Sequence, residues 1–353
     1  MNTAVPTFVL GGTGYVAGEL LRLIAGHPNL RLAAILSDSQ PGESVAKAFP
    51  HLQSAYPQLK FASHEEIAGA ISHEKMSALF SAAPHGVSAG LVDGLLTRAQ
   101  AAGARVHAVD ISADFRHSSA AAYEKIYKHV HGAPERIKDF SCAVPEHLKA
   151  ARTPHIAHPG CFATAILLAS VPLLALGIVE PQLFVAGVTG STGSGRKPTE
   201  GTHHPLRHGD LYTYNALAHR HTPEIAACAQ AATGVAAEFA FVPHSGPFAR
   251  GIHVTVQARL RKECDSAVIR AALEAYYENA PFVRVKADAP RIKDVVASNY
   301  AHLSAATSTR SVAVMCAIDN LNKGAAGGAV QWMNRLLGFE ETAGLTAPAA
   351  GWT

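Results

Sequence analysis

A cysteine that opens an apolar helix can serve as a nucleophile, and one of the five cysteines in this 353-residue chain stands in that position. Cys161 lies in His158-Pro159-Gly160-Cys161-Phe162-Ala163-Thr164-Ala165, directly ahead of a long apolar run. The positive end of a helix dipole favours a thiolate there. Cys142, Cys228, Cys264 and Cys316 fall in ordinary strand or helix patterns, where a free cysteine behaves as a small apolar residue. A thiolate nucleophile needs an acid/base partner. Two histidine-rich segments offer one: Thr202-His203-His204-Pro205 and His219-Arg220-His221-Thr222-Pro223-Glu224. An H-x-H pair can also chelate a metal ion. No third and fourth ligand is spaced to complete such a site, so no metal is expected.

A second constellation sits at the start of the chain. Gly11-Gly12-Thr13-Gly14-Tyr15-Val16-Ala17-Gly18 follows the apolar Phe8-Val9-Leu10 and opens a helix. In that context a glycine-rich turn lets the backbone approach a dinucleotide pyrophosphate, which the helix N–H groups then meet. Gly11, Thr13, Gly14, Tyr15 and Val16 are the expected contacts. Asp38 stands twenty residues beyond Gly18, where a carboxylate suits the ribose 2′-hydroxyl of NAD. Its neighbours Ser37 and Ser39 carry hydroxyls suited to the 2′-phosphate of NADP, so the residues alone leave the nicotinamide type open. Two further loops can reach a cofactor: the small-residue stretch Thr189 to Lys197, with Ser191 and Gly193, and Asp319-Asn320-Leu321-Asn322-Lys323-Gly324.

The elements that must carry these groups alternate in the first half. Thr7 to Leu10, Leu30 to Leu36, Ala78 to Ala82 and Arg105 to Asp110 read as strands, with helices over Glu19 to Ala25 and Val87 to Ala102 between them. That order predicts a Rossmann-type, doubly wound parallel sheet. After about residue 158 the pattern changes. Leu183 to Val188 is a further apolar strand, while Ile252 to Leu260 and Val312 to Ile318 alternate apolar and polar residues with a helix over Ser266 to Glu278, which predicts an antiparallel sheet with helices on one face. Phe162 to Val179 is long enough to imitate a membrane span, but it holds Pro172, Thr164 and Ser170, so it reads as a buried helix followed by a strand approach. The expected division is residues 1–158, completed by a C-terminal helical segment 324–353, and a catalytic and oligomerisation domain 159–323.

Composition removes other classes. Thirty Lys and Arg against 27 Asp and Glu give a formal charge of +3 with no basic run, so no nucleic-acid partner is expected. An odd number of widely spaced cysteines without a C-x-x-C pair argues against a disulfide framework and for a reducing compartment. The N-terminus carries neither a basic segment nor a long apolar one, so a cytoplasmic protein without membrane attachment is expected.

Seven segments in order resemble one family. They are the Gly11 to Leu20 turn, Ala83-Pro84-His85-Gly86, Asp110-Ile111-Ser112-Ala113-Asp114-Phe115-Arg116, His158 to Thr164, Ser191 to Lys197, His219 to Ile225 and Asp319 to Ala326. Together they resemble N-acetyl-γ-glutamyl-phosphate reductases, over about residues 7 to 345. The resemblance implies a Rossmann domain, an α+β catalytic domain of semialdehyde-dehydrogenase type, NADP(H) and a homodimer or homotetramer. It implies that Cys161 attacks the acyl phosphate of N-acetylglutamyl phosphate, that phosphate leaves, and that hydride from NADPH reduces the thioester to the semialdehyde. His219 matches the acid/base position, with His221 as the alternative. Arg116, Arg220 or Arg250 and Glu224 are candidates for substrate, and Pro84 and Asn320 for the cofactor. Ala17 replaces the usual glycine, Asp38 stands where many relatives carry arginine, and Val242 to Phe248 departs from the usual apolar version. His203-His204-Pro205-x-Arg207 resembles the branch that reduces carrier-protein-linked aminoadipyl or glutamyl phosphates. Such a reductase, or a non-catalytic NADP-binding sensor, is the alternative function.

Overall fold

Strand β1 (Val5–Leu10) is apolar and buried along almost its whole length, as a strand covered on both faces must be. In the computed structural model, which describes residues 4–351, it lies between β2 (Leu30–Ile35) and β3 (Met76–Ser81). With β4 (Arg105–Asp110), β5 (Phe140–Cys142) and β6 (His155–Ala157) it forms a six-stranded parallel sheet ordered β2-β1-β3-β4-β6-β5. The strand order reverses at β1, the place where sheets of this class bind ligands.

Helices α1 (Tyr15–Ala25), α2 (Val45–Ala48), α3 (His64–His73), α4 (Ser88–Ala101) and α5 (Ala120–Tyr127) supply the crossovers. Ser63 and Glu66 close a capping box on α3. Helix α1 begins earlier than Glu19, because Gly14 is already its N-cap and the Gly18 amide bonds back to the Gly14 carbonyl. The residues that look like an extended turn in the sequence are therefore the helix's first turn.

The second sheet is built around α6 (Cys161–Ala175). From Phe162 to Leu174 this helix is buried without a break, so it is a core helix and carries no wet face. It ends before β7 (Val179–Thr189), in line with a buried helix that runs into a strand approach. The chain continues through α7 (His204–Arg207), β8 (Tyr212–Thr213), α8 (Thr222–Thr233), β9 (Glu238–Ser245), β10 (Ile252–Leu260), α9 (Ser266–Tyr276), β11 (Val283–Val285), β12 (Ala301–Ser308) and β13 (Ser311–Ile318). Their order is β11-β12-β13-β10-β7-β9-β8.

This sheet is mixed, which corrects the expectation of an antiparallel one: β7 pairs with β9, and β11 with β12, in parallel. A hairpin can join only antiparallel strands, and β7 reaches β9 through a crossover that includes α8. Helices α6 and α9 cover one face. On the other, Phe184 of β7 is 61% exposed beside Ala186 and Gln182, which are exposed too. No helix among the described residues is long and apolar enough to cross a membrane.

A π-helical turn over Asn322–Ala326 leads into α10 (Gly327–Leu336), which packs on β4 and α1. The chain divides into two units. One holds everything up to Ala143, Ala150–His158 and Ala326–Thr346; the other holds Val144–Lys149, Pro159–Ala325 and the chain from Ala347 onward. The Ala350 amide accordingly donates to the Val296 carbonyl. Of the expected helical segment 324–353, the last two residues lie outside those described.

Candidate active site

In the first unit, Gly11 leaves β1 with φ at +83°, a left-handed backbone that strains other residues. A Cβ there would also lie 2.6 Å from the amide nitrogen of Ala83, so the loops after β1 and β3 pass in direct contact. Thr13 and Gly14 follow, and Tyr15, Val16 and Ala17 open α1 with no side-chain cap and no acid in the first turn. Such a helix start suits an anion. Ala17 is fully buried, so a methyl group fits where the usual glycine would stand. Ser37, Asp38 and Ser39 follow β2; Ser37 is buried with its hydroxyl 3.4 Å from that of Ser39, while Asp38 is exposed. Pro84 is exposed at the end of β3, and its carbonyl accepts the Val87 and Ser88 amides that start α4.

Two buried carboxylates hold that corner together. Asp114 accepts the amides of Gly86 and Ala89 and the Tyr123 hydroxyl. Asp110 accepts from Ser88 and Ser112, and burial pushes its pKa up to about 6 against those bonds. Arg116, also buried, donates to the carbonyls of Ile111 and His158. Its guanidinium therefore organises the backbone of the first unit.

In the second unit, Cys161 is the first residue of α6 and is partly exposed. The glycine before it is held on three sides. Its carbonyl accepts from the Thr164 amide and hydroxyl, its amide donates to Glu224 Oε1 at 2.6 Å, and its Cα lies against the His221 ring. A Cβ at Gly160 would come 2.9 Å from His221 Nδ1 and closer still to other ring atoms. Gly324, in the π-helical turn, approaches from another side; a Cβ there would be 2.8 Å from Cβ of Cys161. The next residue back, Lys323, is fully buried and forms a 2.5 Å ion pair with Glu146, also buried.

His219 and His221 are both buried, with ring centroids 4.6 Å apart. His219 also packs edge-on against Phe162, Phe241 and Tyr214. Burial, reinforced by the charge of the exposed Arg220, pushes the His219 pKa down to about 4, so the ring is neutral at pH 7. Its Nδ1 accepts the His221 amide at 3.2 Å, which assigns the remaining proton to Nε2. The neutral ring is thus a preformed Nε2–H donor. Tyr214 belongs to the same centre, because burial and then the Cys161 sulfur's charge push its phenol up.

The other expected residues are engaged elsewhere in this unit. Arg250 makes a two-pronged ion pair with Asp319, which also accepts the amides of Ala297, Leu321 and Asn322. Asn320 bridges the Gly251 amide and the Thr192 hydroxyl. The amides of Ser191 and Gly193 donate to the Phe248 and Gly190 carbonyls, and Gly193 is exposed. His203 and His204 lie exposed in the 199–208 excursion, where the His204 ring packs against that of His208. Among the described residues no cluster of His, Cys, Asp and Glu is arranged to hold a metal. Sequence reasoning passed over Tyr214, Phe241, Asp319 and the Lys323–Glu146 pair. The Asp319-to-Lys323 run was legible, but its acid was hidden by its use as a turn organiser.

Residues 7–151 match the family described as the semialdehyde dehydrogenase NAD binding domain, and residues 161–320 the semialdehyde dehydrogenase dimerisation domain. The chain is 38% identical to an N-acetyl-gamma-glutamyl-phosphate reductase of Methanopyrus kandleri, covering 96% of this chain and 97% of that protein. It is 34% identical to an Aeropyrum pernix protein named as a LysW-L-2-aminoadipate/LysW-L-glutamate phosphate reductase, with 99% of each chain covered. Among solved structures, aspartate semialdehyde dehydrogenase II of Vibrio cholerae superposes with a TM-score of 0.68 at 15% identity, covering 95% of this chain and 98% of that one. The aspartate semialdehyde dehydrogenase of Candida albicans does so at 0.62 and 13%, covering 95% and 99%. These two likenesses establish the fold.

Proposed function

The chain belongs to the N-acetyl-gamma-glutamyl-phosphate reductases of the semialdehyde dehydrogenase family, and on that footing we propose that it reduces N-acetyl-L-glutamyl 5-phosphate to N-acetyl-L-glutamate 5-semialdehyde, with release of phosphate, in arginine biosynthesis. The observation that carries the proposal is the Cys161 turn: a thiol at the first position of a buried helix, backed by Gly160, His221 and Glu224, with a neutral histidine donor packed beside it.

Cys161 attacks the acyl carbon, forms a thioester and expels phosphate. The acyl phosphate is thereby split into two easier steps. His219 holds a proton on Nε2 and donates a hydrogen bond to the carbonyl oxygen as negative charge develops there. Once the thioester carbon has been reduced, the hemithioacetal collapses, the aldehyde leaves and the sulfur regains its proton. Arg220, exposed beside His219, is the arginine proposed to meet the anionic substrate, while the Arg116 guanidinium donates to backbone carbonyls and Arg250 pairs with Asp319.

The first unit fits a nicotinamide dinucleotide: α1 starts without a cap or an acid, and Gly11 lets its loop lie against the loop after β3. Bound NADPH supplies the hydride. Gly11, Thr13, Gly14, Tyr15 and Val16 would hold the pyrophosphate, the Ser37 and Ser39 hydroxyls the 2′-phosphate, and Pro84 the nicotinamide end. The exposed Asp38 carboxylate opposes a 2′-phosphate, so NADP preference is a point the assay must test. The protein acts as a cytoplasmic homodimer or homotetramer. Its five cysteines form no disulfide with one another, and Phe184 and its neighbours are exposed on one face of the second sheet.

The test is semialdehyde oxidation with phosphate added or omitted, run with NADP and NAD in parallel. Phosphate-dependent reduction of NADP is the expected result; oxidation that ignores phosphate would refute an acyl-phosphate product. The Aeropyrum pernix relative and the His203-His204-Pro205-x-Arg207 segment justify a carrier-linked acyl phosphate as a further arm.

A further inference from the structure

Glu224 is the one acid in the first turn of α8, at the position where a side chain commonly reaches back to cap its own helix. Here one carboxylate oxygen leaves that helix and accepts the amide of Gly160, the N-cap of α6, at 2.6 Å. Glu224 has no exposed surface, so it has no open side on which to meet a substrate. It stands at two helix N-termini at once, and both favour a negative charge. Its hydrogen bond holds the N–H of the residue directly preceding the nucleophile.

We propose that Glu224 is a positioning residue for Cys161: its carboxylate fixes the Gly160–Cys161 turn, and its charge offsets part of the α6 dipole that the thiol feels. The proposal rests on Cys161 being the nucleophile and replaces the expectation that Glu224 binds substrate. Three contacts define the turn, and Glu224 is the only carboxylate among them. Thr164 fixes the Gly160 carbonyl, the His221 ring blocks its Cα, and Glu224 fixes its amide. A carboxylate close to a thiol disfavours the thiolate. That restraint is useful, because a thiolate loses intrinsic nucleophilicity as its pKa falls. The other ionisable groups around this turn are Tyr214, His219, Arg220 and His221, together with His158 three residues earlier and Lys323 of the π-helical turn, whose ammonium is paired with Glu146.

Two variants separate reach from charge. Glu224→Gln keeps an oxygen at the right length and removes the charge. Glu224→Asp keeps the charge and is one methylene too short. Cys161 alkylation by iodoacetamide is followed against pH by peptide mass spectrometry, alongside kcat and KM for the acyl phosphate. In Glu224→Gln the alkylation midpoint moves to lower pH by about one unit, so that below both midpoints alkylation is about threefold to fourfold faster than in the parent, the larger thiolate fraction outweighing its lower nucleophilicity. In Glu224→Asp the midpoint stays, and kcat falls by about tenfold to a hundredfold with KM little changed.

A rise in KM of tenfold or more with kcat preserved, in either variant, would make Glu224 a substrate ligand and overturn the proposal. So would a Glu224→Gln enzyme with both kcat and alkylation profile unaltered. If Glu224→Gln does not fold, Glu224→Asp decides alone, and an unchanged kcat overturns. Cys161→Ala, assayed in parallel, keeps the two readings apart. Turnover surviving that change refutes the thioester chemistry, whereas the alkylation shift is read at Cys161 itself in enzyme that still carries it.

Discussion

Helices α1 and α6 both start after a glycine N-cap without a side-chain cap, Gly14 in one and Gly160 in the other, and neither has an acid in its own first turn. In α1 the N-terminal end keeps its positive character for a ligand. In α6 the N-cap amide is taken by the buried Glu224 carboxylate, and the first helical residue is a thiol. The same dipole can thus recruit an anion from outside or tune a nucleophile from within. What separates the two is whether another element of the chain supplies the anion. That element, α8, lies more than sixty residues further along in sequence, as the Gly160–Glu224 separation of 64 shows.

The comparison breaks most readily at Gly160. Its φ is an ordinary −61°, so alanine costs nothing in backbone strain there, but its Cβ meets the His221 ring. Gly160→Ala is expected to lower kcat at least about a hundredfold, because an ångström of displacement at a nucleophile can cost that much. Overpacking should also cost about 1–3 kcal/mol in a denaturant melt. Full activity in this variant would show that the turn tolerates movement.

A smaller change makes α1 resemble α6. Gly14 has φ −77° and room around its Cα, so Gly14→Asp should place a carboxylate at the N-cap. Because glycine is already a fair N-cap, the added side-chain cap should stabilise the first unit by only about 0.3 kcal/mol. The same charge should raise KM for the dinucleotide about tenfold. Gains in both stability and cofactor affinity would mean that the pyrophosphate does not bind at this helix end.

A third contrast concerns acid. Burial lowers the pKa of His147 and His219 to about 4 in the second unit, and lowers His253 and His302 there too. In the first unit it lowers His155 to about 4, and also His27. Between pH 6.5 and 4 the unfolded chain takes up protons that these folded rings refuse. Stability therefore falls as pH falls, by about 1.4 kcal/mol per pH unit for each fully shifted ring. Asp110, raised to about 6, works in the opposite direction between pH 6 and 3.8, and it belongs to the first unit. Hydrogen exchange at pH 5 against pH 7 should show the second unit losing more protection than the first. Equal losses would mean that these histidines titrate near their ordinary value.

What was legible in the sequence follows the same division. The α1 turn is local, so its glycines, its preceding strand and its helix are adjacent in sequence and announce one another. Cys161 was legible for the same reason, as a residue at the head of an apolar run. Its surroundings were not. Gly160, Glu224, Tyr214 and Gly324 come together only through the packing of α6, α8 and the π-helical turn, and no spacing rule links them. Glu224 illustrates the limit: the resemblance made it a candidate for substrate, while its burial against Gly160 depends on tertiary structure. The parallel pairing of β7 with β9 was hidden similarly, since strand alternation reports which face is buried but not the direction of the neighbour. Strands β5 and β6, three residues each, are too short to show a period at all.

The central claim is that Cys161 carries the acyl group. Enzyme mixed with acyl phosphate in the absence of NADPH, quenched in acid and digested, should yield the Cys161 peptide bearing the acyl group as a thioester, with phosphate released in equal amount. Addition of NADPH before the quench should discharge it to semialdehyde. A Cys161 peptide that stays unmodified in an enzyme that reduces the acyl phosphate at its normal rate once NADPH is supplied would contradict the account.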